Sequence, residues 1–284
     1  MRLGYYPGCS LLGSSREFDE SVRAVLGALG VDLVEVPDWS CCGASSAHLL
    51  DPRLALALPA RVLALAEEAG LDEVLAPCAA CSNRLLSTLK ELAEHPGKRA
   101  EVEAVLGRPL PTGVRVVNIL QVLDRLRDRL QVVAPFARKV ACYYGCLLVR
   151  PGAVVDFDRV EDPQSMDRLL AAAGATPIPW PHKTECCGAA LSVSRTGLVA
   201  ELSARILSAA VRRGAEAIVV ACPLCHANLD LRRPEIEAEL GGPQPVPVLF
   251  ATQAIGLAMG IDAERLGLHR HQVPVEFAPA CAGA

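Results

Sequence analysis

The sequence EVLAPCAAC at residues 73–81 returns, in altered form, as AIVVACPLC at residues 217–225. In both stretches a short apolar run, typical of a buried strand, leads directly into a Cys-x-x-Cys pair with a proline beside its first cysteine. Proline is tolerated in the first turn of a helix, so each stretch predicts a strand that turns abruptly into a helix. Units of this kind are typical of parallel α/β folds.

The similarity extends to the sequence on the N-terminal side of each stretch. A single cysteine ends the segments YYPGC (5–9) and YYGC (143–146), and a cysteine doublet followed by glycine occurs as SCCG (40–43) and ECCG (185–188). The order Cys, Cys-Cys-Gly, Cys-x-x-Cys therefore appears twice. A repeat on this scale predicts a duplicated chain.

The predicted strands and helices alternate in the same rhythm in both halves. We expect strands near 2–6, 31–36, 73–76, 114–117, 138–142, 175–179, 216–221 and 246–250, and helices near 16–29, 54–69, 79–93, 119–130, 163–173, 195–213, 224–231 and 252–259. Alternation of this kind gives parallel sheets covered by helices. The predicted fold class is α/β, with two tandem, similar parallel-sheet domains at residues 1–134 and 135–284 and helices packed on each sheet.

The cysteines of each half come directly after predicted strands. In open α/β sheets, ligands bind outside the carboxyl ends of the strands, so we expect five thiols to meet there in each half. A doublet can direct both sulfurs to one centre only if the backbone turns sharply, and Gly43 and Gly188 permit such a turn. A Cys-x-x-Cys pair at a helix start places two sulfurs on one side of a turn, where the helix favours thiolates.

Composition limits the classes of function. The chain has 284 residues, 51% of them hydrophobic, and a net charge of −4, which gives no basic footprint for nucleic acid. The start lacks the pattern of a signal peptide, and the longest uncharged run, between Glu239 and Asp262, contains three prolines. We therefore expect a cytoplasmic protein, membrane-peripheral at most through partners. The apolar end of that run, near 252–261, is the segment that could touch a bilayer.

Twelve cysteines require a chemical explanation. Disulfides are disfavoured in reducing compartments, so metal or redox chemistry is the leading interpretation. One zinc ion is satisfied by four ligands, and a common cubane cluster also takes four cysteines. Five thiols, two of them adjacent, favour an extended iron–sulfur cluster, with structural zinc and disulfides as the alternatives.

The repeated motif resembles the cysteine-rich CCG domain, and the whole chain resembles the B subunit of heterodisulfide reductase. The resemblance rests on the duplicated Cys…Cys-Cys-Gly…Cys-x-x-Cys pattern, on YPGCS (6–10) and on VACYYGCLLVRP (140–151), and it covers about residues 1–260. It implies two non-cubane 4Fe-4S clusters, each held by five cysteines. The implied ligand sets are Cys9, Cys41, Cys42, Cys78 and Cys81 for one cluster, and Cys146, Cys186, Cys187, Cys222 and Cys225 for the other.

The resemblance also implies partners and a reaction. In the methanogen enzyme the mixed disulfide of coenzyme M and coenzyme B is cleaved between the two clusters. Electrons arrive there through two further subunits, a ferredoxin-type iron–sulfur protein and a flavoprotein. The family stretch Cys-His-Tyr-Gly-Cys-His stands here as CYYGCL (142–147), so two histidines are replaced. This departure places the methanogen substrate in doubt.

Several residues outside the implied ligand sets are weaker candidates. His226 follows the second Cys-x-x-Cys pair and is either a proton-carrying group near the cluster or a solvated helix histidine. Lys183 is either a surface charge or a cation that stabilises an anionic cluster. Cys142 is an alternative ligand or an inert strand thiol, and Cys281 is structural or incidental. Alternation along the strands predicts that one tyrosine of each Tyr-Tyr pair lines a cluster pocket.

Two redox functions and one non-redox function are the hypotheses that follow from this sequence. The first is the iron–sulfur catalytic and electron-transfer subunit of a heterodisulfide reductase-like complex, an oxidoreductase acting on a disulfide or thiol substrate. The alternative is a quinone-linked electron-transfer subunit that works with a succinate dehydrogenase-like flavoprotein and iron–sulfur subunits. A non-redox zinc scaffold is a third hypothesis. The absence of a cubane-type cysteine run from the sequence implies an iron–sulfur partner that delivers the electrons.

Overall fold

A computed structural model describes residues 1–44 and 46–275 of the chain. Each half contains one four-stranded, fully parallel sheet, and the two sheets have the same strand order, β2-β1-β3-β4 and β6-β5-β7-β8. The strands are β1 (Arg2–Tyr5), β2 (Asp32–Glu35), β3 (Glu73–Leu75), β4 (Arg115–Val117), β5 (Lys139–Tyr143), β6 (Thr176–Pro177), β7 (Ala217–Val220) and β8 (Val248–Phe250). The predicted fold class is confirmed.

Helices connect the strands in both halves. The first half contains α1 (Gly8–Leu12), α2 (Arg16–Ala28), α3 (Ala47–Leu50), α4 (Pro52–Glu68), α5 (Ala79–Glu94), α6 (Pro96–Leu106) and α7 (Ile119–Arg125). The second half contains α8 (Ser165–Ala172), α9 (Thr196–Arg212), α10 (Pro223–His226), α11 (Arg233–Leu240) and α12 (Ala251–Ala258). The long helices agree with the predictions to within a few residues.

Local sequence explains where these helices begin and end. In α2, Phe18, Val22 and Val25 recur at helical spacing and are buried, and Gly30 ends the segment at a positive φ of 75°. In α4, the side chain of Asp51 accepts a hydrogen bond from the backbone N–H of Arg53, a cap that satisfies one free donor of the first turn.

The prediction for residues 224–231 was wrong in its detail. A single regular helix was expected, but α10 ends at His226 and a π-helical turn, Ala227–Leu231, follows. A π-turn is rare, but where it occurs it is frequently part of a functional site. Periodicity does not reveal it because it adds only one residue to the turn. The short helices α1 and α3 and the helices α6 and α11 were also not predicted.

The two halves pack on each other through helices α2 and α12. Phe18 stacks on Phe250 with ring centroids 4.1 Å apart, and the hydroxyls of Ser21 and Thr252 lie 2.7 Å apart in the buried contact. Helix α5 also crosses the boundary, since the Asn83 amide donates to the carbonyl oxygens of Leu147 and Arg150. The sulfur-bearing loops of both halves therefore belong to one packed unit.

The suggestion that residues 252–261 could touch a bilayer was wrong. Helix α12 is apolar because it is buried between the halves, with Ala254 and Ile255 fully covered. Apolar composition alone cannot distinguish a core helix from a membrane-facing one. In the described residues, no helix has both the length and the apolarity that crossing a membrane requires.

Candidate metal centres

The five predicted cysteines of the first half meet beyond the carboxyl ends of β1, β2 and β3. Cys9 lies in α1, the doublet lies in the loop after β2, and Cys78 caps α5, with Cys81 in the first turn of that helix. The Sγ atoms of Cys9 and Cys41 are 3.9 Å apart, and those of Cys42 and Cys81 are 3.3 Å apart. Three separate segments thus deliver five sulfurs to one place.

The second half repeats this arrangement around β5, β6 and β7. Cys146 follows β5, the second doublet follows β6, and Cys222 caps α10. The Sγ atoms of Cys187 and Cys225 lie 3.8 Å apart. The thiols of Cys146 and Cys186 are close enough to shift each other's pKa, which is raised for Cys146 and lowered for Cys186. The predicted second set of five cysteines is therefore also brought together.

The two sulfur sets adjoin each other across the boundary between the halves. The thiols of Cys78 and Cys222, which stand at the N-termini of equivalent helices, are close enough to change each other's ionisation: Cys222 lowers the pKa of Cys78, and Cys78 raises the pKa of Cys222. Both residues are buried, whereas Cys9, Cys41 and Cys186 are exposed. The ten sulfurs therefore form a continuous group with a buried centre and one side open to solvent in each half.

Each doublet is turned by the glycine that follows it, as the sequence predicted. Gly43 and Gly188 have φ values of 69° and 80°, in the left-handed region that favours glycine. Their backbone N–H groups donate to the Sγ atoms of Cys41 and Cys186 at 3.4 Å and 3.3 Å. The turn therefore directs the sulfurs and also supplies a donor to one of them.

A second pair of glycines was not singled out from the sequence. Gly8 and Gly145 also have positive φ values, and a Cβ atom would lie 3.0 Å from the Sγ of Cys81 at Gly8 and 2.7 Å from the Sγ of Cys225 at Gly145. Both positions therefore need glycine for the backbone and for the space beside a sulfur. The signal was present in the sequence, because each glycine directly precedes the first cysteine of its set.

The tyrosine pairs divide as strand alternation predicts. Tyr6 and Tyr143 donate their hydroxyls to the carbonyl oxygens of the residues before the doublets, Ser40 at 2.8 Å and Glu185 at 2.7 Å. Their partners in each pair instead reach carboxylates on helices, Tyr5 at Asp19 and Tyr144 at Asp167. One tyrosine of each pair thus anchors the doublet loop, and the other anchors a helix.

The crowded sulfurs hold their protons unequally. The pKa of Cys42 is lowered to about 3, first by its interaction with the Cys41 thiol and then by that with the Cys81 thiol. The pKa of Cys186 is lowered to about 6, chiefly by a hydrogen bond from Cys146. Hydrogen bonding to Cys187 raises the pKa of Cys225. Each set therefore includes a cysteine whose lowered pKa favours the thiolate, and the thiolate is the form of cysteine that binds metals.

Asn228 is a contact of the second site that sequence reasoning missed. Its amide nitrogen donates to the carbonyl oxygen of Cys187 at 3.0 Å and to the Sγ of Cys187 at 3.4 Å. Its amide oxygen lies 2.9 Å from the hydroxyl of Ser192. The residue stands only three positions beyond Cys225, but the contact depends on the π-turn, which periodicity does not predict.

The alternative that His226 is a solvated helix histidine was wrong. The ring is 1% exposed, stacks on Phe250, and places Nε2 3.1 Å from the carbonyl oxygen of Val248 and 3.3 Å from Nδ1 of His271. Burial lowers the pKa of His226 to about 3, so the ring is neutral. His226 joins the Cys-x-x-Cys segment to the C-terminal part of the domain.

His226, Asp230 and His271 bring three ligand-type atoms within 4.8 Å of one another, but the hydrogen bonds favour a network over a metal site. The amide of Gln253 accepts from the backbone N–H of Phe250 and donates to the Leu266 carbonyl, which fixes its orientation. Its nitrogen then donates to Nε2 of His271 at 2.8 Å. The proton of neutral His271 therefore lies on Nδ1, the atom that a metal between the histidines would need.

Lys183 and Cys142 lie beneath the second doublet. The interpretation of Lys183 as a surface charge was wrong, because it is buried and pairs with Asp162 at 3.1 Å and Asp167 at 3.0 Å. Cys142 is buried in β5 beside Asp167, and burial raises its pKa. This geometry favours a packing role for Cys142. Cys281 lies outside the described residues.

The donor set fits an iron–sulfur cluster. Each site offers five sulfurs where a single zinc ion is satisfied by four ligands, and soft thiolates are the ligands that such clusters use. The glycines beside Cys81 and Cys225 keep space next to a sulfur that a Cβ would fill. A solvent-open site with thiolates and backbone N–H donors suits a multi-atom, anionic group.

Fold and site together define a duplicated cysteine-rich protein, and comparison with known families agrees. Residues 3–85 and 140–230 each match the CCG cysteine-rich domain. The chain belongs to this family and contains the domain twice.

Named relatives resemble the chain over nearly its whole length. The 8-methylmenaquinol:fumarate reductase membrane anchor subunit of Wolinella succinogenes is 33% identical over 275 residues, covering 95% of this chain and 96% of the relative. The B subunit of the ferredoxin/F420H2-dependent CoB-CoM heterodisulfide reductase of Methanosarcina acetivorans is 30% identical over 291 residues, with coverage of 97% and 95%. Their names support an iron–sulfur electron-transfer subunit of a multi-subunit reductase.

A solved structure shares the fold at low sequence identity. The crystal structure of a hypothetical protein from Helicobacter pylori superposes with a TM-score of 0.82 at 15% identity. The match covers 98% of this chain and 53% of the solved one. At this identity the likeness concerns the fold alone.

Proposed function

We propose that the chain is the iron–sulfur subunit of a heterodisulfide reductase-like complex, and that each set of five cysteines holds a non-cubane 4Fe-4S cluster. The observation that carries the proposal is the gathering of five cysteines in each half, with Sγ–Sγ distances of 3.3, 3.8 and 3.9 Å. The two sets adjoin at Cys78 and Cys222, which shift each other's pKa. When bound, such clusters supply one-electron transfer. The remaining chemistry is set by the residues around them.

Two adjoining sites match the electron count of a disulfide substrate. Reduction of a disulfide takes two electrons and two protons, breaks one S–S bond and releases two thiols. Duplication places two one-electron sites side by side, and the exposed residues Cys9, Cys41 and Cys186 mark the side that a substrate can approach. The buried contact between Cys78 and Cys222 lies where electrons would pass between the sites.

The protein holds its sulfurs in place without using long, mobile side chains. Tyr6 and Tyr143 fix the doublet loops, and the N–H groups of Gly43 and Gly188 stabilise negative charge on Cys41 and Cys186. Rigid positioning of this kind lowers the structural rearrangement that accompanies electron transfer. The protons for the released thiols come from solvent at the open side.

The proposed partners follow from the chain and from its relatives. Electrons must reach the buried sulfurs from outside, so we propose docking of a ferredoxin-type iron–sulfur protein, supplied in turn by a flavoprotein of the same complex. The relative from Wolinella succinogenes supports a second candidate, in which a quinone replaces the disulfide and the partners are a succinate dehydrogenase-like flavoprotein and iron–sulfur subunits. Exposed Leu12 and Leu147 stand close in sequence to Cys9 and Cys146, and they offer apolar surface for such a substrate.

One experiment tests the proposal and separates the two substrates. The chain is purified anaerobically, its metals are measured, and oxidation of reduced methyl viologen is followed with an asymmetric thiol disulfide or with a short-chain menaquinone analogue. We expect about eight irons per chain, from two four-iron clusters, and disulfide-dependent oxidation. A colourless, zinc-loaded protein would refute the cluster proposal, and turnover with the quinone alone would replace the disulfide by the second candidate.

A further inference from the structure

The two sulfur sites differ in the residue that stands three positions after the Cys-x-x-Cys pair. In the second site this residue is Asn228, which directs both hydrogens of its amide at Cys187, one at the carbonyl oxygen and one at the Sγ atom. In the first site it is Arg84, whose guanidinium instead reaches the carbonyl oxygen of Ala55 at 3.5 Å. The doublet cysteine Cys42 thus has no counterpart of the Asn228 amide at this position.

The orientation of the Asn228 amide is fixed. The carbonyl oxygen of Cys187 requires a donor, so the nitrogen must face it, and the hydroxyl of Ser192 holds the amide oxygen on the other side. The side chain is 1% exposed, so water does not compete for either contact. The N–H donor is therefore permanently directed at the sulfur.

The backbone explains why only the second site has this contact. Asn228 lies in the π-turn Ala227–Leu231, whereas Arg84 lies in the regular helix α5. The π-turn rotates the chain after Cys225 and brings residue 228 beneath the doublet. Tyr6 lies near Cys42 and contributes to its lowered pKa, but its single hydroxyl hydrogen is donated to the carbonyl oxygen of Ser40, as that of Tyr143 is donated to Glu185. The amide N–H of Asn228 is therefore a donor to sulfur that the first site does not match at the equivalent position.

A hydrogen bond to a ligating sulfur changes the reduction potential of a cluster. It stabilises negative charge on the sulfur, and the reduced state carries one more negative charge than the oxidised state, so the potential rises. We propose that Asn228 is a positioning residue that raises the potential of the second site above that of the first and so directs electrons toward it. This inference rests on the proposed iron–sulfur function.

The test is a redox titration of the anaerobically purified chain, followed by electron paramagnetic resonance, in variants of Asn228. Asn228→Leu keeps the volume and removes the N–H donor, and Asn228→Asp keeps the shape, removes the donor and adds a negative charge. Cys41→Ser and Cys186→Ser assign the signals to the first and second sites. At a fixed potential we expect Asn228→Leu to lower the ratio of reduced to oxidised second cluster about tenfold, or about 59 mV for one electron, and Asn228→Asp to lower it further.

A matched control separates this effect from general loss of stability. Asn118 is also a buried asparagine, but it caps α7 and exchanges hydrogen bonds with Gln121. Asn118→Leu should leave both potentials unchanged. Equal potentials of the two clusters in the native chain would overturn the inference, and so would a second-cluster potential that neither Asn228 variant lowers; both results leave the iron–sulfur function standing. A chain that binds no iron would overturn the proposed function itself.

Discussion

The two halves differ at the position three residues after the last cysteine of each set, which is Arg84 in the first half and Asn228 in the second. The backbone around this position differs as well. Arg84 lies in a regular helix and reaches toward α4, while Asn228 lies in a π-turn and contacts a sulfur. The cysteines, the glycines beside them and the tyrosines that hold the doublets are the same in both halves. Duplication thus preserved the positions of the sulfurs, while the residues that tune them diverged.

The largest effect is expected from removal of a sulfur. Cys41→Ser should abolish the first cluster and Cys186→Ser the second, each with a loss of about four irons per chain, because a serine oxygen is a poor replacement for a soft thiolate ligand. Iron analysis and electron paramagnetic resonance measure the loss. Disappearance of both clusters in either variant would contradict the view of two separately filled sites.

The glycines beside the sulfurs should produce the next largest effect. In Gly145→Ala the new Cβ would lie 2.7 Å from the Sγ of Cys225, at a φ of 69°, so we expect loss of iron from the second site in addition to the cost of the left-handed backbone, about 1–2 kcal/mol. Gly8→Ala should be milder, because the corresponding distance to Cys81 is 3.0 Å. Iron content and thermal unfolding are measured together.

Gly214→Ala is the matched control for this pair. Gly214 has a φ of 76°, but a Cβ there meets nothing within 4 Å. The variant should therefore lose only the stability that a left-handed backbone costs an alanine, and it should keep its iron. Iron loss in Gly214→Ala equal to that in Gly145→Ala would show that backbone strain, not contact with sulfur, is responsible.

The pH dependence of unfolding should reflect the buried carboxyl group of Glu17, which lies beside His226. The first half has Ser82 at the position of His226. Glu17 lies 3.6 Å from Nδ1 of His226, and burial raises the pKa of Glu17 to about 7 from 4.5. A carboxyl group with a raised pKa in the folded protein stabilises the fold below about pH 4.5, and this contribution is lost as the pH rises through 7. Glu17→Gln should remove that part of the pH dependence of unfolding.

The measurement is urea unfolding between pH 5 and pH 8, and the control is Glu201→Gln, which changes an exposed carboxylate on α9. The control should retain the loss of stability with rising pH. If Glu17→Gln and the native chain show the same slope, Glu17 is already ionised in the folded protein and the assignment of a raised pKa fails.

The smallest effect is expected for the tyrosines that hold the doublets. Tyr6→Phe and Tyr143→Phe each remove one hydrogen bond to a carbonyl oxygen, which should lower the free energy of unfolding by about 1 kcal/mol and leave both clusters in place. Because the two contacts are equivalent, the two losses should match. A large loss of iron in only one variant would show that the halves differ in how the doublet is anchored.

The sequence was most informative where the chain repeats. Strand–helix alternation and the position of the cysteines after strands predicted the parallel sheets, the meeting of the thiols and the need for Gly43 and Gly188. These features depend on local spacing and on the geometry of parallel sheets, which are both present in the sequence.

The features that the sequence did not reveal depend on packing between the halves. A solvated position was one of two interpretations for His226 and for Lys183, because their own segments look like surface helix and loop, but the other elements cover them. Helix α12 looked like a membrane-facing segment because its partner, α2, lies far away in the chain. The contact of Asn228 with Cys187 required a π-turn, and the contact of Cys78 with Cys222 required both domains at once.

The most direct test of the central claim is anomalous diffraction at the iron edge from anaerobically grown crystals. The account predicts two separate iron-centred maxima, one bounded by the sulfurs of Cys9, Cys41, Cys42, Cys78 and Cys81 and the other by those of Cys146, Cys186, Cys187, Cys222 and Cys225. The maxima should approach each other where Cys78 meets Cys222. A map with anomalous signal at the zinc edge only, or with iron at one set and free thiols at the other, would contradict the account.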